Sequence, residues 1–448
     1  MSKRLVILGG GESGVGTAIL AKKHGYEVFV SDGGTIKENY KMDLNSVGIE
    51  FEESHHTEEK IFNADEIMKS PGIPEKNELV KRIRSKEIPV SSEIEFAFRY
   101  KGDSKVIGIT GSNGKTTTTA LIHHICKHAG LDCALVGNIG FSFAKQVAQD
   151  PKQLYVAEIS SFQLDDIKTF RPDVAVMTNI TEDHLDRYDN KFENYINSKF
   201  LITMNQTMND FFIYCADDPV TMNYLARHSI NSNPLPFTMQ KDLNPGQGAF
   251  IKNGLMTVNT DTETISMSIY DFALRGKHNQ YNTMAAALAA VTVGIRKEKI
   301  REAIQSFEAL EHRMESVATV RGVEFINDSK ATNVNSTWYA LESMQKPTIL
   351  ILVGIDKGND YSLITDLVKE KVKAIICMGV DNRKIHEAFG NQVELIVNTA
   401  SAKEAVQAAF HFADKGDVVL LSPACASFDL FKNYEDRGRQ FKDAVKDL

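Results

Sequence analysis

Lys105-Val106-Ile107-Gly108-Ile109-Thr110-Gly111-Ser112-Asn113-Gly114-Lys115-Thr116 is the stretch on which the fold turns. The apolar run from Val106 to Ile109 ends in a turn punctuated by glycines, and a helical pattern continues to about Ala129. The order is therefore strand, tight loop, helix. In such a loop glycines let backbone N–H groups point at phosphate oxygens. A lysine supplies charge for the terminal phosphates, and a Thr hydroxyl can hold Mg²⁺. The usual P-loop has another glycine at the position held here by Ile109, so this is a shorter variant. The competing reading is a structural turn that carries Gly-Lys-Thr-Thr by chance, and the strand–helix context disfavours it.

The same alternation extends outward on both sides. Upstream, Leu5 to Leu8 runs into Gly9, and Val28 to Val30 leads to Asp32. Ser70 to Pro74 reads as a loop at a strand end, Ser92 to Tyr100 as helix, and Lys101 to Ser104 as a polar break. Downstream, strands are expected at Tyr155 to Glu158 and Val174 to Ile180. Hairpins or loops are expected over 231–264, and an alanine-rich helix from about Asn282 to Val291. In the last stretch Val323–Ile326, Thr348–Val353, Ala374–Met378 and Val418–Leu421 each end in a turn. Strands alternating with helices imply parallel sheets with crossover helices. The expectation is an α/β chain of three domains. A Rossmann-like N-terminal domain spans 1–103 and a central P-loop-type ATPase domain with a mainly parallel sheet spans 104–309. A Rossmann-like C-terminal domain spans 310–448. Open sheets of this kind bind ligands at the carboxyl ends of their strands.

Composition narrows the class. The 448 residues are 42% hydrophobic and 25% charged, globular fractions that fit neither a disordered nor a fibrous chain. A net charge of −8 disfavours nucleic acid as a partner. Cys126, Cys133, Cys215, Cys377 and Cys425 are odd in number and form no CxxC pair. That disfavours a disulfide framework and a structural zinc site. No run of about 18 apolar residues suggests a membrane helix, and the N-terminus does not read as a signal peptide. The expected setting is the cytoplasm, and the expected state a monomer with no obligate protein partner.

Gly9-Gly10-Gly11-Glu12-Ser13-Gly14 satisfies G-x-G-x-x-G between a strand and a helix, and Asp32 ends the next strand. The pattern fits a nucleotide whose diphosphate sits on the helix N-terminus, with NAD one possibility and a plain tight turn another. A dehydrogenase has no use for a Lys-Thr phosphate loop, and a simple ATPase none for a ribose-binding turn. A ligase acting on a nucleotide-linked substrate uses both. Glu158 and the run Thr181-Glu182-Asp183-His184-Leu185-Asp186 follow strands beside the phosphate loop. A carboxylate and an imidazole there suit Mg²⁺ or Mn²⁺, although Glu158 also reads as a helix cap and His184 as a hydrogen-bonded loop residue.

Longer motifs make the comparison specific. They are G-S-N-G-K-T-T at 111–117, G-N-I-G at 137–140, A-E-I-S-S-F-Q-L at 157–164 and N-I-T-E-D-H-L-D-R-Y at 179–188. E-H-R-M-E at 311–315, N-D-S-K-A-T-N at 327–333 and L-S-P-A-C-A-S-F-D at 421–429 follow. Together they resemble the Mur ligase family, in order and over essentially the whole chain. The last three resemble the members that add D-glutamate to UDP-N-acetylmuramoyl-L-alanine through an acyl phosphate made from ATP.

The resemblance implies roles that periodicity and spacing do not give. ATP would lie on Gly111, Ser112, Asn113, Gly114, Lys115, Thr116 and Thr117, with Asn282, Arg313 and Asp328 as further contacts. Two Mg²⁺ ions, or Mn²⁺, would be held by Thr116, Glu158, His184 and Lys199, the last as a carbamate. Without the resemblance Lys199 reads as a solvent-facing helical lysine. Asn138 would contact the acyl region of the substrate, and Lys115, Asn138, Glu158, His184 and Lys199 make up the catalytic set. Ser13, Asp32 and Gly72 would bind the UDP portion, which makes the diphosphate that of UDP and not NAD. Lys330, Thr332, Lys357, Ser427 and Tyr434 would bind D-glutamate. Two positions depart from the family pattern. Gly33-Gly34 stands where other members offer a hydroxyl and an arginine. Lys357 directly follows Asp356, where a glycine separates the pair in some members.

Overall fold

Strand β1 (Arg4–Leu8) is apolar from Leu5 onward and almost wholly buried, as a strand covered by helices on both faces must be. It lies at the centre of a five-stranded parallel sheet with β2 (Glu27–Asp32), β3 (Glu50–Glu53), β4 (Glu66–Lys69) and β5 (Val90–Ser91). The order is β3-β2-β1-β4-β5. The chain reverses direction across the sheet between β1 and β4, and the crevice at such a switch point is where an open sheet takes its ligand. The computed structural model describes residues 2–240, 247–260, 264–274, 276–308, 311–353, 359–425, 427 and 430–448.

The second sheet contains β6 (Lys105–Thr110), β7 (Cys133–Gly137), β8 (Leu154–Glu158), β9 (Val174–Met177), β10 (Phe211–Cys215) and β11 (Asn233–Thr238). It is completed by β12 (Gly248–Lys252), β13 (Leu255–Asn259) and β14 (Thr264–Ser268). Its order is β14-β13-β12-β11-β10-β9-β6-β8-β7. The half from β7 to β11 is parallel, and the last two pairings are antiparallel. The expected hairpin region thus opens with a strand, β11, paired parallel on both sides, and only β12 to β14 pair antiparallel. β9 stops at Met177, three residues short of the expected Ile180, because Thr178 and Asn179 turn their hydrogen bonds toward the phosphate loop.

The third sheet is built from β15 (Glu315–Val320), β16 (Val323–Asn327), β17 (Thr348–Val353), β18 (Val372–Met378), β19 (Leu395–Thr399) and β20 (Val418–Leu421). The order is β15-β16-β20-β17-β18-β19, parallel except for β15 on β16. All three expected α/β domains are therefore present. The chain divides into two compact units, 1–272 with 281–306, and 273–280 with 307–448. The first unit holds the first two sheets together. The second expected boundary, at 309/310, lies outside the described residues.

Buried polar groups join the first two sheets. Gly16 lets the helix Glu12–Lys23 approach the helix Phe143–Gln149, since a Cβ on it would stand 2.0 Å from Ser142 Oγ. Glu95, fully buried on the helix Glu93–Tyr100, accepts from the amides of Lys168, Thr169 and Phe170 at 2.8–2.9 Å. It also accepts from Thr169 Oγ1 at 2.7 Å and Arg99 Nε at 3.0 Å. Burial pushes this carboxyl up, but the hydrogen bonds outweigh it and hold the group below the usual carboxylate range.

A group depressed in this way stabilises the fold above its unfolded pKa and loses that contribution as pH falls through its folded value. Glu95→Gln is expected to lower stability at pH 7 by about 2 kcal/mol. The gap to wild type should narrow as pH drops below about 4. Urea unfolding at pH 7 and pH 3.5 checks both statements.

Candidate active site

The phosphate loop joins β6 to the helix Lys115–His128, and its backbone geometry depends on two glycines. Gly111 has φ +140°, and a Cβ there would lie 2.0 Å from Thr178 Oγ1. Gly114, at φ +84°, is the N-cap, and a Cβ there would lie 2.4 Å from Asn282 Oδ1. Both positions exclude a side chain. The loop is laced to the end of β9. Ser112 N donates to Asn179 O (2.8 Å), Asn113 N to Asn179 Oδ1 (3.0 Å) and Thr178 Oγ1 to Asn113 O (2.6 Å). Ser112 Oγ reaches Thr181 O at 2.9 Å and the Tyr195 hydroxyl at 3.1 Å. The N-terminus of the following helix, with Thr116 and Thr117 in its first turn, is left as an anion-binding end.

Two lysines meet on one carbonyl. Lys115 Nζ donates to Gly111 O and Ser112 O, each at 2.8 Å, and Lys199 Nζ donates to Gly111 O at 2.7 Å. The expectation that Lys199 faces solvent in the absence of family information is reversed: it is 1% exposed, with its Nζ 4.4 Å from the Tyr195 ring centre. Burial, and then the charge of Lys115, hold its amine well below the ordinary lysine range. A neutral amine is the nucleophilic form, and the form that can combine with CO₂ to give a carbamate.

Neighbouring strand ends supply the rest. In the order β9-β6-β8-β7, Glu158 ends β8 beside Ile109 of β6 and Gly137 of β7. Glu158 is 1% exposed; its Oε1 accepts from Asn138 Nδ2 at 2.7 Å, and its Oε2 is buried with no hydrogen-bond partner. An orphaned, buried carboxylate oxygen beside a phosphate loop fits a divalent cation. Gly137, at φ +100°, lets Asn138 N bond back to Glu158 O at 2.8 Å. His184 sits in the left-handed region at φ 52°, with its ring against Phe162. The side chain is 54% exposed at its rim. Surrounding protein, and the charges of Lys115 and Lys199, hold the imidazole below its ordinary pKa, against the pull of Asp183. Lys115, Asn138, Glu158, His184 and Lys199 are thus drawn to one edge of one sheet.

The glycine turn after β1 opens on a cavity of about 500 Å³ lined by Ser13, Asp32, Gly33, Gly34, His56, Gly72 and their neighbours. Ser13, Asp32 and Gly72 all line it. Asp32 also builds the turn: Oδ2 accepts from Gly10 N at 2.6 Å and Oδ1 from Gly34 N at 2.7 Å. Arg187, inside the 179–188 motif but not singled out from sequence, donates to the carbonyls of Pro71 (3.1 Å), Gly72 (3.3 Å) and Ile73 (3.4 Å). Its guanidinium lies 4.4 Å over the Phe162 ring. One side chain therefore ties the lip of this cavity to the turn that carries His184.

In the second unit Asp328 follows β16. It accepts from Ser422 Oγ at 3.0 Å and Met314 N at 3.3 Å. Burial pushes its carboxyl up to about 7, against the hydrogen bond from Ser422 and the charge of Arg313. The Lys330 ammonium stands 3.8 Å from the Tyr434 ring centre, Ser427 is buried and Thr332 is exposed. Lys357 lies outside the described residues. Arg437, fully buried and missed from sequence, fastens this region: Nη2 donates to Ser329 O at 2.7 Å and Nη1 to Cys425 O at 3.3 Å. An arginine thirteen residues beyond Ala424 gives no local sign that it is interior. Glu311, His312 and Glu315 cluster as metal ligands would, but Lys442 already pairs with both acids, at 3.0 and 2.5 Å.

A phosphate loop on a parallel sheet, a buried acid and lysine at adjacent strand ends, and a nucleotide-type crevice on a neighbouring sheet define a phosphate-loop α/β enzyme. Residues 4–79 match the MurD N-terminal domain, 109–290 the Mur ligase middle domain, and 312–425 the Mur ligase glutamate ligase domain. Three relatives, all named UDP-N-acetylmuramoylalanine–D-glutamate ligase, span the full length. The protein from Christiangramia forsetii is 55% identical over 448 residues, covering 100% of both chains. That from Bacteroides fragilis is 53% identical over 447 residues, again covering 100% of both. That from Salinibacter ruber is 40% identical, covering 99% of this chain and 98% of its own. Among solved structures, a pseudomurein peptide ligase type C from Methanothermus fervidus superposes with TM-score 0.65 at 22% identity, covering 100% of both chains. MurF ligase from Thermotoga maritima, in complex with ADP, gives 0.60 at 14%, covering 94% of this chain and 95% of its own. These two share the fold. The chain belongs to the Mur ligase family.

Asp328 provides a test of this geometry. A carboxyl raised by the fold stabilises it fully below the unfolded pKa, about 3.9, and loses that contribution as pH rises toward 7. Asp328→Asn, neutral throughout, should therefore gain thermal stability relative to wild type from pH 5 to pH 8. A gap that stays constant over that range would contradict the placement.

Proposed function

We propose that the protein joins D-glutamate to UDP-N-acetylmuramoyl-L-alanine at the expense of ATP, a step in peptidoglycan precursor synthesis. The observation that carries the reading is the convergence of Lys115 and Lys199 on the carbonyl of Gly111, beside the unpartnered Oε2 of Glu158. That is a site prepared for concentrated negative charge, which ATP and a carboxylate acceptor bring together.

The γ-phosphoryl group passes from ATP to the alanyl carboxylate, giving an acyl phosphate and ADP. The D-glutamate amine attacks the acyl carbon, a proton leaves the nitrogen, and the tetrahedral intermediate expels phosphate to form the amide. Lys115 and the amides of 111–117 hold the transferring phosphoryl oxygens. Asn138, whose Nδ2 donates to Glu158, orients the acyl group in this reading. Thr116, Glu158, His184 and Lys199 (as a carbamate) would hold two Mg²⁺ ions, or Mn²⁺, which neutralise phosphate charge when bound. A carbamate on Lys199 would place an anion beside Lys115, where burial and the Lys115 charge disfavour a second cation. Asn282, Arg313 and Asp328 serve the nucleotide, and Ser13, Asp32 and Gly72 the UDP portion. Lys330, Thr332, Lys357, Ser427 and Tyr434 serve D-glutamate. The domain limits 1–103, 104–309 and 310–448 belong to this reading, as does a monomer working in the cytoplasm. No helix among the described residues is long and apolar enough to cross a membrane.

Phosphate release from ATP and Mg²⁺ with UDP-N-acetylmuramoyl-L-alanine, across D-glutamate, L-glutamate, glycine and L-lysine, is expected only with D-glutamate. Release with another amino acid would overturn the pocket assignment. Lys115→Ala should lower kcat by about 10³ or more. Lys199→Ala should lose activity and recover part of it when a small carboxylate such as formate is added. No recovery at any concentration would remove the carbamate from the mechanism.

A further inference from the structure

We propose that His56 reads the base of the bound nucleotide, accepting a hydrogen bond from uracil N3–H through Nε2. The inference rests on the reading of the N-terminal cavity as the UDP site. The direction in which a UDP-linked substrate lies there follows from two ties. Arg187 binds the Pro71–Ile73 lip to the turn that carries His184. Ser142 N, four residues beyond Asn138, bonds Glu12 Oε1 at 3.2 Å. The acyl end therefore leaves the glycine turn toward that side, and the nucleoside occupies the other, at the ends of β2 and β3. The polar groups facing the cavity on that side are Asp32 and His56.

Gly33 and Gly34 bring no side chain to this end of the cavity. The space is taken from the neighbouring strand: a Cβ on Gly33 would come within 3.0 Å of His56 Nε2. A side chain at 33 and the imidazole of His56 compete for the same place. A histidine from just beyond β3 thus stands where positions 33 and 34 bring no side chain.

Hydrogen bonding fixes which nitrogen of His56 carries the proton. Glu52, buried at the end of β3, accepts from Ser31 Oγ (2.6 Å), Thr57 N (2.8 Å) and Thr57 Oγ1 (2.6 Å). Burial pushes this carboxyl up, but the hydrogen bonds from Ser31 and Thr57 outweigh it and hold it below the usual carboxylate range. Glu52 is then a pure acceptor, and the single proton of Ser31 goes to it. The 2.7 Å contact between Ser31 Oγ and His56 Nδ1 must therefore be donated by Nδ1–H. In the neutral ring Nε2 is left with a lone pair facing the cavity. Uracil presents N3–H to such an acceptor. Cytosine presents a lone pair at the same position, and two acceptors left facing one another repel.

The test is inhibition of the intact enzyme by UDP and by CDP, each in competition with the UDP-linked substrate. Wild type is expected to prefer UDP by about 10- to 100-fold, the range for a buried acceptor left unpaired. His56→Ala and His56→Phe, the second keeping a ring without nitrogen, should bring the ratio within about threefold of unity. Ser31→Ala keeps His56 but frees its tautomer, and should erode the preference while leaving the KM for ATP unmoved. A wild-type preference that survives in both His56 variants would overturn the role of His56 and leave the UDP cavity standing. A wild type inhibited by UDP and CDP alike would overturn it as well. Failure of UDP to compete at all would overturn the cavity reading itself, and the inference with it.

Discussion

The carbonyl of Gly111 is the point on which the central site depends. It accepts from Lys115 and Lys199 together, at 2.8 and 2.7 Å. Two ammonium groups cannot share one acceptor in a buried place without strong repulsion. The fold buries Lys199, and burial together with the charge of Lys115 holds its amine well below the ordinary lysine range. What results is a pair of unlike lysines, Lys115 turned to the phosphate loop and Lys199 buried where its protonated form is disfavoured. The same residue fixes the loop through what it lacks. A Cβ at Gly111 would collide with Thr178, whose hydroxyl holds the loop to the end of β9.

A polar framework around this point keeps the first two sheets in register. Glu95 gathers three consecutive backbone amides, Arg187 gathers three consecutive carbonyls, and Glu93 accepts from Ser142 Oγ and Ala144 N. These groups are matched donor to acceptor, so each fixes an orientation as well as a distance. Apolar packing alone would tolerate sliding that fixed hydrogen bonds do not. A substrate anchored by a diphosphate in one crevice and reacting at a carboxyl group beside another needs that register. An error of about 1 Å at the reacting atoms costs on the order of 10² in rate.

Much of this was legible in sequence because it is local. Continuous apolar runs such as Leu5–Leu8 and Thr348–Val353 name their own strands, and the glycine-bounded turns after them name the ligand edge. Short or half-exposed strands such as Val90–Ser91, Glu315–Val320 and Leu395–Thr399 carry no comparable run and went unread. The alanine-rich helix begins at Lys277, five residues before the expected start at Asn282; Lys277 to Tyr281 are polar and aromatic and carry no helical apolar pattern. Within the site, Lys115 and Glu158 were indicated by their positions after strands. Lys199 required the family resemblance, since burial of a helical lysine depends on what packs over it. Arg187, Arg437 and His56 act through partners more than 100 residues away or on another strand, and no window of sequence contains both ends of such an interaction.

The acidic balance of the chain and the anionic character of its ligands are compatible because the two crevices handle charge differently. At the phosphate loop, lysines and a helix N-terminus meet the charge directly. At the glycine turn Asp32 spends both carboxylate oxygens on backbone amides, shaping the turn while adding a negative charge of its own. On the proposed reading, a diphosphate there would meet the N-terminus of the helix Glu12–Lys23. On the same reading, selectivity at that end would come from hydrogen-bond pattern, with His56, one nitrogen committed to Ser31, as a directional acceptor. The proposed division of labour, nucleotide recognition in the N-terminal crevice and phosphoryl transfer in the central one, follows this difference in how charge is handled.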